Sequence, residues 1–179
     1  RISFIKNEML NETEINKYFV SEPEKVASSI YIEYQKVLKK NNVIDFDDLL
    51  RLPVLLFQNY PDVLEHYQDK YQYILIDEYQ DTNEVQYKLI KLLSKKYRNL
   101  FVVGDQNQAI YGFRQANYKN ILNFERDYPD AHVIVLSQNY RSTTTILNAA
   151  NSVIKHNVER KEVNLFSELG EGVKVKYLR

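Results

Sequence analysis

The sequence contains no cysteine, only four glycines, and no excess of charge of either sign. Without cysteine, the chain forms neither a disulfide framework nor a thiolate metal site, which fits a reducing compartment. Its 24 basic residues balance 24 acidic ones. Because compact nucleic-acid-binding domains often carry a basic excess, this balance argues against strong binding to a phosphate backbone through bulk charge. A local binding groove is still compatible with it.

Long apolar runs are also absent, and none approaches the roughly 20 residues that a membrane-spanning helix needs. No signal peptide opens the chain, and its first residue is Arg1, as expected for an internal fragment or a processed chain. We therefore expect a cytoplasmic protein without membrane contact. The 179 residues, of which 44% are hydrophobic, suffice for one domain with a buried core or for pieces of two.

The first forty residues read as helix. Ser21 and Glu24 have the spacing of a capping box, with Pro23 in the first helical turn. Asp45 is predicted to cap the next helix, and Pro53 should kink or divide that helix. Between these signals, apolar side chains recur at helical spacing and predict one apolar face, formed by Val26, Ile30, Tyr34, Val37 and Leu38.

From Tyr71 onward, short runs rich in Ile and Val alternate with helical stretches. The runs are Tyr73–Ile76, Leu100–Val103 and Val133–Leu136. This alternation predicts βαβ units, an α/β fold and a parallel sheet that is buried on both faces. The alternating tail from Gly172 to Arg179 is a candidate for a further strand.

Each predicted strand ends in a polar cluster. The clusters begin at Asp77, at Gly104 and at Gln138. In open parallel sheets, ligands bind at the carboxyl ends of the strands. We therefore expect the three clusters to converge on one rim of the sheet.

The first cluster contains two adjacent carboxylates, Asp77 and Glu78. If the strand continued, they would point to opposite sides and perform different tasks. A carboxylate at a strand end is a suitable ligand for Mg²⁺, and a second one can orient or deprotonate a water molecule. The structural alternative is that Asp77 ends the strand while Asp81, with Glu84, caps the next helix. We expect such capping for Asp81 and a functional role for the acid pair.

The second cluster combines a glycine, amides, aromatic rings and a cation. Gly104 allows a tight turn, and Gln108 is suited to hydrogen-bond a phosphate or a positioned water. Tyr111, Phe113 and Arg114 form a combination that suits stacking on unpaired bases. The alternative is that both rings pack in a core.

The third cluster places an arginine at the start of a predicted helix. Ser142 is the predicted N-cap. Arg141 lies beside it, where its charge opposes the helix dipole, so it needs an anionic partner. Phosphate is a natural partner, and an ion pair with a neighbouring acidic side chain is the alternative.

Three strings, LIDEYQDTN, VVGDQNQAIYGFRQA and LSQNYRSTTTILNAAN, resemble motifs II, III and IV of superfamily 1 DNA helicases of the UvrD/PcrA type. VIDFDDLL resembles the acidic segment before motif II in that group. The resemblance runs from about Glu22 to the C-terminus, and three long motifs in this order are highly specific. It implies a RecA-like P-loop NTPase type of parallel sheet flanked by helices, truncated here, with an N-terminal helical segment.

The resemblance also implies a domain organisation. Residues 1–44 would be a helical segment from an insertion in the first helicase domain. Residues 45–128 would be part of the first RecA-like, ATP-binding domain, and residues 129–179 would begin the second RecA-like domain.

The family's site residues match positions in this sequence. The resemblance implies that Asp77 holds the Mg²⁺ of bound ATP and that Glu78 activates the attacking water. Gln108 would sense the γ-phosphate and couple it to DNA. Tyr140 would stack on adenine, and Arg141 would contact the γ-phosphate.

The resemblance implies a DNA site as well. Tyr111 and Phe113 would stack on bases of single-stranded DNA, with Arg114 beside them. Phe113 stands where the family usually has tryptophan, which reduces the stacking area. The implied function is that of a fragment of an ATP-dependent helicase, which moves 3′ to 5′ on single-stranded DNA and unwinds duplex DNA.

A phosphate-cradling P-loop reads G-x-x-x-x-G-K-[ST], and none of the four glycines fits this pattern. The family's later motifs are also missing, so we expect the chain alone to bind ATP weakly or not at all and not to hydrolyse it. Three other functions stay open. They are the helicase subunit of a recombination helicase–nuclease, a non-catalytic interaction module, and a stand-alone Mg²⁺-dependent phosphohydrolase that uses Asp77, Glu78, Asp81 and Asp105.

Overall fold

A computed structural model describes residues 1–157 and 163–176, and the chain divides into two compact units. The first unit comprises Arg1–Asp105 and Ala109–Ile121, and the second comprises Gln106–Gln108 and the chain from Leu122 onward. None of the helices in the described ranges has the length and apolar character needed to cross a membrane.

The N-terminal region is helical, as predicted, and it forms three helices. They are α1 (Ile2–Asn7), α2 (Glu12–Tyr18) and α3 (Glu22–Lys40). Met9 adopts a left-handed φ of 59° between the first two, a conformation that no residue inside an α-helix has. The predicted capping box of Ser21 and Glu24 is present at the start of α3.

The predicted apolar face of α3 is covered only in part, at Tyr34 and Leu38, which are half-buried. Val26, Ile30 and Val37 are all more than half exposed, whereas Ser28 and Tyr31 on an adjacent face are buried. Helical periodicity reveals an apolar stripe, but the neighbouring helices determine which side of α3 is covered. Through Tyr31, α3 joins a core cluster whose other members are Ile5, Leu10, Ile15 and Phe19.

Three further helices support the sheet of the first unit: α4 (Asp48–Asn59), α5 (Pro61–Lys70) and α6 (Glu84–Ser94). The N-cap of α4 is Asp47, so the prediction that Asp45 occupies this position is wrong by two residues. Nevertheless, Asp45 Oδ1 accepts a hydrogen bond from the Asp48 N–H at 3.0 Å, which is the contact a capping side chain makes.

Pro53 does not divide α4, contrary to one of the two predicted outcomes, because the helix continues through it to Asn59. A proline removes only one intrahelical hydrogen bond directly. The turn that follows is buried through Val54 and Phe57, and α4 packs against α5 and α6. Tertiary packing therefore holds the helix together across the proline.

The sheet of the first unit has two parallel strands, β1 (Ile74–Ile76) and β2 (Leu100–Val102), joined through α6. The predicted burial on both faces is wrong for this unit. Leu75 and Phe101 pair in register and are 71% and 59% exposed. Parallel sheets are buried where helices cover both faces, and the described helices of this unit leave the face of Leu75 and Phe101 open.

The second unit contains no strand where the third was predicted. Val133–Leu136 is half or more exposed and lacks strand pairing. The pairing that does occur is an isolated parallel bridge between Gln138 and Phe166. A strand needs a paired neighbour, and the described residues of this unit offer none to Val133–Leu136. The described helices from the end of the first unit onward are α7 (Lys119–Leu122), α8 (Phe124–Asp127) and α9 (Thr144–Ile154).

The candidate strand in the tail is not formed either. Residues 172–176 adopt no strand, and the rest of that prediction, residues 177–179, lies outside the described residues.

A buried ion cluster joins α1 to the segment before α4. The Lys6 side chain is fully buried, with Nζ 2.6 Å from Asp45 Oδ2 and 2.9 Å from Asp48 Oδ2. Burial alone lowers the pKa of Lys6, but its hydrogen bonds to the two carboxylates outweigh burial and raise that pKa. Tyr34 also donates to Asp45 Oδ2 at 2.9 Å. The acidic segment VIDFDDLL therefore neutralises a buried lysine.

Replacing Lys6 with methionine is expected to lower the free energy of unfolding by about 3–5 kcal/mol, because two carboxylates then lose their buried partner. Chemical denaturation of the chain measures this change. Lys96→Met is the control, since Lys96 pairs with Glu65 and Asp69 on the surface and its loss should matter little. Equal effects of the two substitutions would contradict the assignment.

Candidate functional site

The acid pair follows β1 directly. Asp77 Oδ1 accepts a hydrogen bond from the Glu78 N–H at 2.9 Å. Glu78 has φ 49° and ψ 44°, a left-handed conformation that is uncommon for a residue with a side chain. Because β1 ends at Ile76, strand alternation does not set the directions of the two carboxylates. The turn that begins at Glu78 sets them, and strained backbone of this kind clusters at functional sites.

A short 3₁₀ turn, Tyr79–Asp81, fixes the acid pair to the sheet. The fully buried Tyr79 donates its backbone N–H to the Val103 carbonyl at 2.9 Å. Thr82 Oγ1 donates to the Tyr79 carbonyl at 2.7 Å. The exposed carboxylates therefore stand on a turn whose own backbone is anchored to the end of the neighbouring strand.

Gln80 is a site residue that the sequence predictions missed. It is 1% exposed, donates from Nε2 to Glu78 Oε2 at 2.7 Å, and accepts at Oε1 from the Asp105 N–H at 2.9 Å. The signal available in the sequence was an amide two residues after the second acid. Its burial could not be inferred, because neighbouring positions in a 3₁₀ turn have no simple alternation.

The acid pair borders an open cavity of about 360 Å³ within the first unit. Asp81 also lines this cavity, and its buried Oδ1 has no hydrogen-bond partner among the described residues. A buried carboxylate oxygen without a partner is a site for a cation or for a water bound to one. The full lining consists of Ile76, Asp77, Glu78, Asp81, Thr82, Gln86, Leu89 and Ile90.

These residues fit a hydrated Mg²⁺ better than a fully protein-bound metal. Mg²⁺ is commonly held through one or two carboxylates while it keeps several waters. In the described part of the chain, no three His, Cys, Asp or Glu side chains are grouped as a metal cage. Asp77 is thus compatible with a single-carboxylate ligand, with the other cavity acids able to bind the ion's waters.

The predicted capping role of Asp81 is wrong. Helix α6 has Asn83 as its N-cap, and the Asn83 side chain accepts from the Gln86 N–H at 3.0 Å. Gln86 Oε1 in return accepts from the Asn83 N–H. Glu84 lies in the first helical turn, where an acidic side chain favours the dipole. Because Asn83 caps the helix, the Asp81 carboxylate is available to the cavity.

Gly104 at the end of β2 is required by close packing and does not adopt a left-handed backbone. A β-carbon at this position would lie 2.6 Å from Gln80 Oε1 and 3.2 Å from the Tyr79 nitrogen. Any side chain there would displace Gln80. The sequence predicted that this glycine allows a tight turn, whereas the structure requires a glycine here because a side chain has no space.

Tyr111, Phe113 and Arg114 form an exposed cluster in the first unit. The two ring centroids are 5.9 Å apart, and Arg114 Cζ lies 5.2 Å from the Tyr111 centroid and 5.4 Å from the Phe113 centroid. Phe113 is 78% exposed, so it does not pack in the core of this unit. An exposed ring beside a guanidinium offers a stacking surface for an unpaired base.

Hydrogen bonds to the acid-pair turn hold the segment that carries this cluster. The Asn117 N–H donates to the Thr82 carbonyl at 2.8 Å. The buried Asn120 donates from Nδ2 to both the carbonyl and Oγ1 of Thr82, at 3.2 Å and 3.1 Å. Thr82 therefore connects the acid-pair turn and the aromatic segment within one unit.

In the second unit, Asn139 organises the segment that carries Tyr140 and Arg141. Its Oδ1 accepts from the Arg141 N–H at 3.0 Å and from the Ser142 N–H at 2.7 Å. The N-cap of α9 is Thr143, so the predicted cap Ser142 is one residue too early. Tyr140 and Arg141 are exposed, and no acidic partner of Arg141 is found among the described residues.

The sequence-predicted site residues are distributed over both units. Asp77 and Glu78 border one cavity in the first unit, which also carries the aromatic cluster. Gln108, Tyr140 and Arg141 belong to the second unit, where Gln108 is exposed on the 3₁₀ turn Gln106–Gln108. The shared rim expected for the three polar clusters stays a prediction.

Comparison with known proteins identifies relatives along almost the whole chain. Residues 1–129 match the UvrD/REP helicase N-terminal domain, and residues 134–179 match the UvrD-like helicase C-terminal domain. The ATP-dependent DNA helicase PcrA of Bacillus subtilis (strain 168) is 52% identical over 178 residues, which are 99% of this chain and 24% of that protein.

Two staphylococcal proteins give the same result. The ATP-dependent DNA helicases PcrA of Staphylococcus aureus (strain Mu50 / ATCC 700699) and Staphylococcus epidermidis (strain ATCC 35984) are 51% and 50% identical over 176 residues. These residues are 98% of this chain and 24% of either relative, so the chain spans about a quarter of their length. With matches to both helicase domains in order, the chain belongs to the UvrD/REP helicase family.

Proposed function

We propose that this chain is the central part of an ATP-dependent DNA helicase that moves 3′ to 5′ on single-stranded DNA and unwinds duplexes. It would contribute the end of one RecA-like domain, whose N-terminal helices belong to an insertion, and the beginning of a second. Single-stranded and duplex DNA would be its partners and the cytoplasm its location. The supporting observation is the Asp77–Glu78 pair on a cavity that also contains the unpartnered Asp81 oxygen.

Asp77 and Glu78 have different roles in this proposal. Asp77 would hold Mg²⁺ at a strand end through a single carboxylate. Glu78 would accept a proton from a water at its carboxylate, which requires hydrogen-bond reach to that water. Bound Mg²⁺-ATP supplies the phosphoanhydride that is hydrolysed. The exposed position of Glu78 and the anchored turn below it are compatible with a fixed but accessible base.

The second unit would contribute groups that respond to the nucleotide. Gln108 would hydrogen-bond near the γ-phosphate, Arg141 would neutralise charge there, and Tyr140 would stack on adenine. An arginine that stands before a helix N-terminus favours an anionic partner, since the helix dipole repels its charge. The exposure of both Tyr140 and Arg141 supports these assignments.

DNA would bind at the cluster of Tyr111, Phe113 and Arg114. Stacking on exposed rings tolerates any base, as translocation along a strand requires. Thr82 lies between this cluster and the acid-pair turn, with hydrogen bonds to both segments. A change at the nucleotide side would therefore reach the DNA side through a short path of hydrogen bonds.

The first test replaces the matching segment of the Bacillus subtilis relative with this chain and measures DNA-stimulated ATP hydrolysis. Glu78→Gln in this chimera is expected to lower kcat by about 100- to 10,000-fold, because the amide cannot accept the proton. Glu65→Gln, an exposed acid on α5 that pairs with Lys96, is the control and should retain activity. An interaction module without catalysis predicts equal activity of all three proteins.

A second test concerns DNA binding by the same chimera. Phe113→Ala should weaken binding of a single-stranded oligonucleotide by about 1–3 kcal/mol through loss of stacking. Tyr18→Ala removes an exposed ring on α2, outside the segments that resemble helicase motifs, and should leave the affinity unchanged. Fluorescence anisotropy with a labelled oligonucleotide measures both, and an unaltered affinity of Phe113→Ala would remove this residue from the DNA site.

A further inference from the structure

We propose that Gln80 is a positioning residue for Glu78: its buried side-chain amide fixes one oxygen of the Glu78 carboxylate and ties it to the end of β2. This inference rests on the proposed function, in which Glu78 is the base. It goes further by naming the residue that determines the direction of that base. Gln80 itself would touch neither substrate nor metal.

The geometry makes Gln80 a bridge between two strand ends. Its Nε2 donates to Glu78 Oε2 at 2.7 Å, on the turn after β1. Its Oε1 accepts from the Asp105 N–H at 2.9 Å, immediately after β2. An amide suits this position, because its planar group offers an N–H donor and a carbonyl acceptor at the same time.

Burial makes the bridge rigid. Gln80 is 1% exposed, so both of its polar atoms need partners to offset the loss of water. Gly104 provides the space, since a β-carbon there would approach Gln80 Oε1 to 2.6 Å. Within the first unit, a glycine and a glutamine at separate strand ends are therefore matched to each other.

Glu78 needs such a restraint more than an average acidic residue. Its side chain is exposed, so packing restrains its rotamer less than it restrains that of a buried side chain. Holding a long side chain in one rotamer has an entropic cost, which a preformed hydrogen bond to a fixed donor offsets. The bond occupies Oε2, and the carboxylate keeps Oε1 as a second acceptor for water.

Two substitutions separate positioning from simple packing. Gln80→Met keeps the volume and loses both hydrogen bonds. Gln80→Glu keeps the shape and an acceptor for the Asp105 N–H, but presents a carboxylate where Glu78 requires a donor. In the chimera, both variants are expected to lower kcat for ATP hydrolysis by about 10- to 100-fold, with KM for ATP changed by about twofold or less.

A second readout does not depend on activity. In this chain alone, hydrogen exchange at the Asp105 amide, measured by NMR, should accelerate by about tenfold in Gln80→Met because its acceptor is lost. Gln80→Glu should retain the protection of this amide. A role in packing alone predicts instead that Gln80→Glu has the kcat of the unmodified chimera.

The outcomes distinguish this inference from the proposed function. An unmodified chimera without DNA-stimulated hydrolysis overturns the proposed function and, with it, the role of Gln80 in hydrolysis. An active chimera in which both Gln80 variants keep their kcat overturns the positioning role alone. Unchanged exchange at Asp105 in Gln80→Met overturns the bridge itself. Reduced kcat in both variants, with faster exchange only in Gln80→Met, supports the inference.

Discussion

The candidate site depends on the pairing of β1 with β2 and on the buried turn that this pairing anchors. Ile74–Ile76 aligns in parallel with Leu100–Val102, and the Tyr79 N–H continues the contact to the Val103 carbonyl. This bond anchors the turn that begins at Glu78. The two exposed carboxylates are therefore attached to a buried, hydrogen-bonded turn. This attachment gives the solvated side chains of the acid pair a defined position.

Around this turn, the first unit uses polar side chains where a core usually has apolar ones. Gln80, Thr82 and Asn120 are buried and hydrogen-bonded to one another's segments or to the strand ends. The Lys6 cluster is a second, separate example. Buried polar groups require partners in defined directions, so they specify one arrangement more strictly than apolar packing does. In the first unit, these buried polar groups contact Glu78 and the segment that carries Tyr111, Phe113 and Arg114.

Several apolar surfaces remain open in the described residues. Leu75 and Phe101 expose one face of the sheet, α3 exposes an apolar stripe, and Val133–Leu136 has no strand partner. Periodicity in the sequence predicted buried sheet faces and a third strand at these positions. The local sequence pattern indicates which segments are able to pack or to pair. A segment is buried or paired only where a neighbouring helix or strand is present to cover it.

The sequence by itself determined the family, the α/β alternation, β1 and β2, the capping box of α3, and the position of the acid pair at a strand end. These features depend on sequence motifs, on local hydrogen bonds and on the spacing at which apolar residues recur, and each of these is encoded within a short segment. Only the tertiary structure decided that Gln80 is buried beside Glu78, that Gly104 is needed for space, and that Asn83 instead of Asp81 caps α6. Such facts depend on distances between segments that are distant in sequence, and no local pattern contains those distances.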